Sequence, residues 1–288
     1  MRISELSRRV GVNAETLRAW ERRYGVLRPR RTGGNTRLYS ALDEARIQLM
    51  KGYIANDVPV AQAAEMAMSA QLRLRACSTG ELPAHERRSA MQDLASALAA
   101  FDETSADRTL QQLLGAYAVT AVMRDVILPY LHKVGEWWEQ NEISVAQEHF
   151  ASQFLQARLH ALSRGWDRGL GPRAVLAAAP GDYHTLGITC FGIALHRLGW
   201  RIVGLGAATP IEMLREVAHA TGASLIVVSA SIAGALEPYA TALADLAEST
   251  PVAIGGPATS PGLARRCGAL YLEEPVTGAA EVTLTPGD

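Results

Sequence analysis

The residues with the most chemical promise lie in one loop. Gly181–Gly187 reads GDYHTLG and follows the apolar run AVLAAAP of Ala174–Pro180. Its His184 stands two residues after Asp182 and three before Gly187. A histidine on a strand-to-helix loop is ordinarily a polar residue with one hydrogen bond, so its surroundings decide what else it does. A loop built for a pyrophosphate would read G-x-G-x-x-G; this one does not, which speaks against a nicotinamide cofactor. A structural zinc needs further ligands nearby, and His196 lies about three turns along the same helix, too far to bind the same ion. An imidazole gripped by an acid suits a metal that arrives already held in a macrocycle. The acid takes one ring nitrogen and fixes the tautomer, and the other nitrogen is left to coordinate.

The elements around that loop set its position. From Arg173 onward the runs AVLAAA, RIVGLGA, SLIVVSA, PVAIGG and ALYLEE read as short buried strands, separated by helical patterns such as Thr185–Leu198, Pro210–Ala220 and Pro238–Ser249. That alternation predicts a doubly wound, flavodoxin-like parallel sheet over 169–288, whose ligands sit beyond the carboxyl ends of the strands. The loop of His184 follows the first strand directly. Upstream, over 88–168, apolar residues recur at three- and four-residue spacing (Leu94, Leu98 and Phe101; Leu110, Leu113 and Tyr117; Val122, Val126 and Tyr130; Phe150, Phe154 and Leu159) and predict a four-helix bundle. Small and polar residues around Gly80 and Pro83 make 76–87 read as a linker.

Charge separates the first quarter from the rest. Residues 1–75 hold 14 Lys/Arg against 7 Asp/Glu, whereas 76–288 hold 14 against 22. A basic module on an acidic trunk suggests a polyanion-binding head. Its sequence, RISELSRRVGVNAETLRAWERRYGVL, places Ile3, Leu6 and Val10 on one helix face, a turn at Gly11, a capping Asn13 and a second helix through Leu17, Trp20 and Tyr24. This is a helix-turn-helix, and its second helix would offer Thr16, Arg18, Arg22 and Arg23 to the major groove. The following RPRRTGGNTRLYS folds as a hairpin, with Arg28, Arg30, Arg31, Arg37 and Tyr39 placed to meet phosphates. The expected partner is double-stranded operator DNA. No apolar run is long enough to span a membrane, and Cys77, Cys190 and Cys267 form no C-x-x-C pair, which fits a reducing, cytoplasmic setting.

ISELSRRVGV, TLRAWERRYG and R-x-G-G-x-x-R-x-Y occur in the order and spacing of the MerR-family winged helix-turn-helix, and the head resembles it over Met1–Ser69, including a further helix pair from Ala41 to Met68. Asn35 stands where many members carry an aromatic residue at the wing tip. Asp182-x-His184-x-x-Gly187 resembles the cobalamin-binding motif of base-off, His-on domains. The likeness extends to Ser229 and Ser231 in SAS and to Gly255 and Gly256 in IGGPA. The resemblance implies that His184 is the lower axial cobalt ligand, that the serine region receives the displaced dimethylbenzimidazole, and that the paired glycines admit the nucleotide tail.

Within the bundle, GEWWEQNEISVAQEHF carries a Trp-x9-Glu-His pattern, Trp138 to Glu148 and His149, with Val145 between them. Head, bundle and sheet together resemble cobalamin-dependent light sensors of the CarH and LitR type. That resemblance implies a bundle lying over the upper corrin face and enclosing the 5′-deoxyadenosyl group of adenosylcobalamin, with Trp138, Val145, Glu148 and His149 shaping the pocket. It also implies a ligand-dependent homo-oligomer, a tetramer, that represses from its operator in the dark and releases it on photolysis. One departure bears on this. Glu139 stands where the light-sensing members carry a histidine after the tryptophan, and His132 is almost two turns from Trp138. A light-independent cobalamin sensor is the alternative. A corrinoid enzyme is disfavoured, because a DNA-binding head is present and no substrate barrel accompanies it.

Overall fold

Two short helices around a tight turn open the chain. In the computed structural model, which describes residues 1–31, 37–55, 57–68 and 82–284, α1 (Ile3–Val10) buries Leu6 and Val10 and stops at Gly11. Gly11 adopts φ 61°, a left-handed conformation open to glycine at little cost, and its N–H bonds Ser7 O. Helix α2 (Ala14–Tyr24) starts where Asn13 accepts the Thr16 N–H, a cap worth about 1 kcal/mol. Strands β1 (Arg30–Arg31) and β2 (Arg37–Leu38) pair antiparallel as the wing. Helix α3 (Ala41–Ile54) begins with a capping box between Ser40 and Asp43, and α4 spans 60–68. Buried Asp43 also accepts the Arg28 N–H and pairs with Arg46, whose other nitrogen donates to Val26 O. One carboxylate thus ties the chain before the wing to the helix after it.

Five strands form the parallel sheet: β3 (Arg173–Ala178), β4 (Arg201–Gly206), β5 (Leu225–Ser229), β6 (Val252–Gly255) and β7 (Leu270–Leu272). Their order β4-β3-β5-β6-β7 is the flavodoxin-like one, with its switch point between β3 and β5. The crossover helices are α10 (Leu186–Arg197), α11 (Leu214–Thr221), α12 (Ala240–Ala247) and α13 (Pro261–Arg266), and α14 (Pro275–Leu284) follows the last strand. Val175, Ile226, Val228 and Ile254 pack the sheet against Leu214, Leu243 and Leu263. Cys190 lies inside, and burial pushes its thiol up to about 12. The head shares one unit with this sheet, Met1–Leu74 with Gly165–Asp288. Tyr53 of α3 sits so close to Gly199 that a Cβ there would lie 2.7 Å from the phenol oxygen.

Arg75–Arg164 forms the second unit. Its helices are α5 (Ala84–Ala99), α6 (Glu103–Ala116), α7 (Val119–Val122), α8 (Leu128–Glu139) and α9 (Val145–Leu162), with a π-turn at Met123–Ile127 joining α7 to α8. Leu94, Leu98, Leu110, Ile127, Leu155 and Leu159 are fully or almost fully buried. The linker reading over 76–87 needs correction at its end. Leu82 is buried and α5 begins at Ala84, because Pro83 is the helix cap rather than a breaker. Residues 76–81 of that segment lie outside the described residues, as do the wing-tip positions Gly33, Gly34 and Asn35. The carboxyl-terminal boundary also moves. Trp166, assigned to the bundle by its sequence position, packs against Gly192 and Gly204 and accepts the Ile202 N–H, so it belongs to the sheet unit.

Candidate functional site

The loop after β3 is organised by one carboxylate. Asp182 is fully buried, and its Oδ1 receives both the His184 backbone N–H at 2.9 Å and the imidazole Nδ1 at 2.8 Å. Its Oδ2 receives the Ser231 N–H, from the loop after β5. Burial pushes the Asp182 carboxyl up, but the hydrogen bonds from Ser231 and His184 outweigh it and hold the group below the usual carboxylate range. An ionised acceptor draws the ring proton to Nδ1, so Nε2 carries the free lone pair. The imidazole is 68% exposed. The backbone of the loop is equally tied, with Asp182 N–H on Ala179 O and Ala208 N–H on Asp182 O.

The neighbouring positions form a cradle across the switch point. Ser229 ends β5, and its Oγ is buried without a hydrogen-bond partner. Gly256 follows β6 at φ +105°, and a Cβ there would lie 2.5 Å from Ala230 O. Among the described residues, a Cβ placed at Gly187 would meet nothing within 4 Å beyond its chain neighbours and its own helix backbone. An orphaned buried hydroxyl, a strand-end turn closed to side chains and one free imidazole nitrogen fit a large macrocycle with a polar tail. Among the described residues no group of three or more His, Cys, Asp and Glu is placed to hold a bare metal ion. Ser231 enters through its backbone amide, a role invisible in a sequence. The sequence reading also passed over Tyr183, 76% exposed beside the imidazole, and exposed Ile232 next to Ser231; an aromatic residue inside the Asp-x-His motif was the available signal.

The bundle has its own concavity. An open, shallow hollow at the turn from α8 to α9 is lined by Trp138, Glu139, Asn141, Glu142, Ile143, Ser144 and Val145. Trp138 is 50% and Val145 55% exposed. Glu148 and His149 lie on the first turn of α9 but do not line the hollow. Glu148 Oε1 accepts the Ser152 hydroxyl at 2.7 Å, and the His149 Nε2 is 3.5 Å from Glu148 Oε2. Trp137 turns away, edge-on to Tyr130 with centroids 6.3 Å apart.

On the head, Arg18, Arg22 and Arg23 of α2 are exposed, while Thr16 is half-buried beside the Asn13 cap. Arg37 is exposed but bonded to Glu21 Oε1 at 3.0 Å. Tyr39 corrects the expected DNA-contacting set. It is 2% exposed and its hydroxyl donates to Glu21 Oε2, so it fixes the wing against α2 from inside. The backbones of Arg30 and Arg31 pair with Leu38 and Arg37, and their side chains lie outside the described residues.

Comparison with known proteins bears on the fold and the family. The model of the MerR HTH family regulatory proteins matches residues 1–69, and that of a B12 binding domain matches 90–163, the bundle. The HTH-type transcriptional repressor CarH of Myxococcus xanthus is 31% identical over 267 residues, 89% of either chain. CarA of the same organism, also an HTH-type transcriptional repressor, is 31% identical over 262 residues, covering 89% of this chain and 86% of its own. The monomethylamine corrinoid protein of Methanosarcina barkeri shares the fold at 21% identity, with a TM-score of 0.58 over 68% of this chain and 98% of its own. The fold and these matches therefore define a cobalamin-binding transcriptional regulator with a MerR-type DNA-binding head. The chain belongs to the family of CarH and CarA. No helix among the described residues is long and apolar enough to cross a membrane.

Proposed function

We propose that this chain is a light-responsive repressor that holds its operator when loaded with adenosylcobalamin in the dark and releases it on illumination. The observation that carries the reading is the clamped His184, whose Nδ1 is fixed by buried Asp182 and whose Nε2 is free, in a chain that also presents the open hollow at Trp138. In this reading 1–75 read DNA, and the sheet unit from Gly165 onward would hold the corrinoid through His184. Asp182 positions the imidazole, Ser229 and Ser231 receive the displaced base, and Gly187, Gly255 and Gly256 make room for the tail. The bundle, from Leu82 to Arg164, would meet the upper ligand with Trp138 and Val145, and Glu148 and His149 would meet its polar edge. When bound, adenosylcobalamin supplies a cobalt–carbon bond that visible light cleaves, so the cofactor is a signal and not a reactant. Thr16, Arg18, Arg22, Arg23, Arg30, Arg31 and Arg37 carry the DNA contacts.

For ligand to control DNA binding, the loaded protein must prefer one assembly state by several kcal/mol. A ligand-dependent homo-oligomer, a tetramer by family resemblance, provides that linkage. The test is an absorbance spectrum of protein reconstituted with adenosylcobalamin before and after green light, with a DNA-binding titration on each sample. The reading fails if the dark, loaded protein binds DNA no better than the illuminated one.

Glu139 favours a second reading. It lines the hollow where a histidine would offer cobalt a strong nitrogen ligand, and a carboxylate is the weaker partner. A light-independent cobalamin sensor would show equal DNA affinity in dark and light but a dependence on cobalamin. Glu139→His separates the two, because a gain of photoconversion in the variant assigns the wild type to the second.

A further inference from the structure

The helix that carries Trp138 is not a regular one. From Val119 to Glu139 it runs as α7, a π-turn and α8, with Leu128 N–H bonded to Met123 O, five residues back. Pro129 explains the widened turn. A proline has no N–H for the carbonyl four residues earlier, and its ring would clash with that carbonyl, which here belongs to Asp125. Adding a residue to the turn relieves the clash and leaves Asp125 at the centre of the π-turn.

Asp125 is 6% exposed and fully engaged. Arg124 donates to both its oxygens, at 2.7 and 2.9 Å, and Oδ2 also accepts the backbone N–H of Leu82 at 3.0 Å. Leu82 is itself buried and precedes the cap of α5. It is also where the chain coming from the DNA-reading head joins the bundle. One buried carboxylate therefore holds the incoming segment to the element whose far end bears Trp138. A second irregularity lies just before the turn, where Thr120 is buried and its hydroxyl has no partner. A widened turn next to an unsatisfied buried hydroxyl is an irregularity of the kind found frequently at functional sites.

We propose that Asp125 is a positioning residue that couples the hollow at Trp138 to the head: filling the hollow shifts the register of the Val119–Glu139 helix at its π-turn, and the Asp125–Leu82 hydrogen bond carries the shift into the segment that leads to the head. The proposal rests on the reading that the hollow receives the upper ligand of a cobalamin. It goes further by naming the route of the signal.

The full-length chain tests it, with and without adenosylcobalamin in the dark, against a DNA fragment that the loaded wild type selects from a randomised pool. The wild type is expected to show at least a tenfold difference in DNA affinity between loaded and free protein. In Asp125→Ala the two affinities should fall within about threefold of each other, with the spectrum of the bound cobalamin unchanged. Asp125→Asn keeps an acceptor for the Leu82 amide and should restore most of the difference. Hydrogen exchange of wild-type protein gives a readout that needs no variant, since the Leu82 amide should exchange at different rates in the loaded and free states. An equal rate in a sample whose spectrum shows bound cobalamin overturns the proposal, as does an Asp125→Ala protein with the wild-type affinity ratio. A wild type that takes up no cobalamin overturns the underlying functional reading instead, and the spectrum reports that separately.

Discussion

The loop of His184 and the hollow of Trp138 are built on opposite principles. Around His184 the orienting groups are already committed: Asp182 is buried and spends both oxygens on amides and the imidazole, and the backbone is bonded on either side. Around Trp138 the large side chains stand half in solvent, and the acid of the set, Glu148, is engaged among the described residues with its own helix neighbours Ser152 and His149. A pre-organised site loses little freedom when it binds, so it supplies affinity. A site with exposed apolar side chains gains contacts from its ligand, so it supplies a response. The division suits a sensor, in which one half must retain the ligand and the other must register which form is present.

Substitutions can break this contrast, beginning with the largest expected effect. His184→Ala should weaken cobalamin retention by more than the roughly 10–100-fold that loss of an outer-shell partner costs, read by equilibrium dialysis. Asp182→Asn should fall within that 10–100-fold range, because the ring loses its ionised orienting partner while the ligand atom stays. Gly256→Ala should destabilise the sheet unit by about 1–3 kcal/mol, seen as a lower unfolding midpoint, since a Cβ at φ +105° meets Ala230 O at 2.5 Å.

The bundle answers differently. Burial raises the Asp125 carboxyl, but the bonds from Arg124 and Leu82 and the charges of Arg124 and Arg87 bring it below its ordinary value. A depressed folded pKa contributes stability that is complete above the unfolded value near 4 and is lost as pH falls through the folded one. Thermal melts of the bundle should therefore weaken below about pH 4, and Asp125→Asn should flatten that dependence. Trp138→Ala should leave the unfolding midpoint almost unmoved, a change within about 0.5 kcal/mol for a half-exposed side chain. It should still reduce the preference for adenosyl- over hydroxocobalamin by about 2–10-fold, the worth of one aromatic contact.

Much of this arrangement was legible in the residues. Strand-length apolar runs, helical spacing in the bundle and the capped helix-turn-helix appear where periodicity and capping chemistry placed them. The Asp-x-His pair could be read because two residues of separation on a loop let a side chain bond its neighbour's backbone and ring at once. Other features had no signature of that kind. Ser231 acts through an amide, which every residue has. Tyr39 sat in a basic hairpin and read as a surface contact, yet its partner Glu21 comes from another element and draws it inside. Pro83 and Pro129 were visible, but a proline marks a helix start, a break or a widened turn depending on the carbonyls and core it meets, and those are fixed only by tertiary packing.

Helix α10 deserves a final consequence. It begins two residues after His184, and eight consecutive residues, Ile188–Leu195, are buried. The sheet covers one flank, α14 packs on it, and Trp166 presses on Gly192. A rod with no wetted flank cannot roll or slide without opening voids around its whole girth. The imidazole is thus moored to the least yielding part of the protein, and any displacement that announces a change of ligand has to begin elsewhere in the chain.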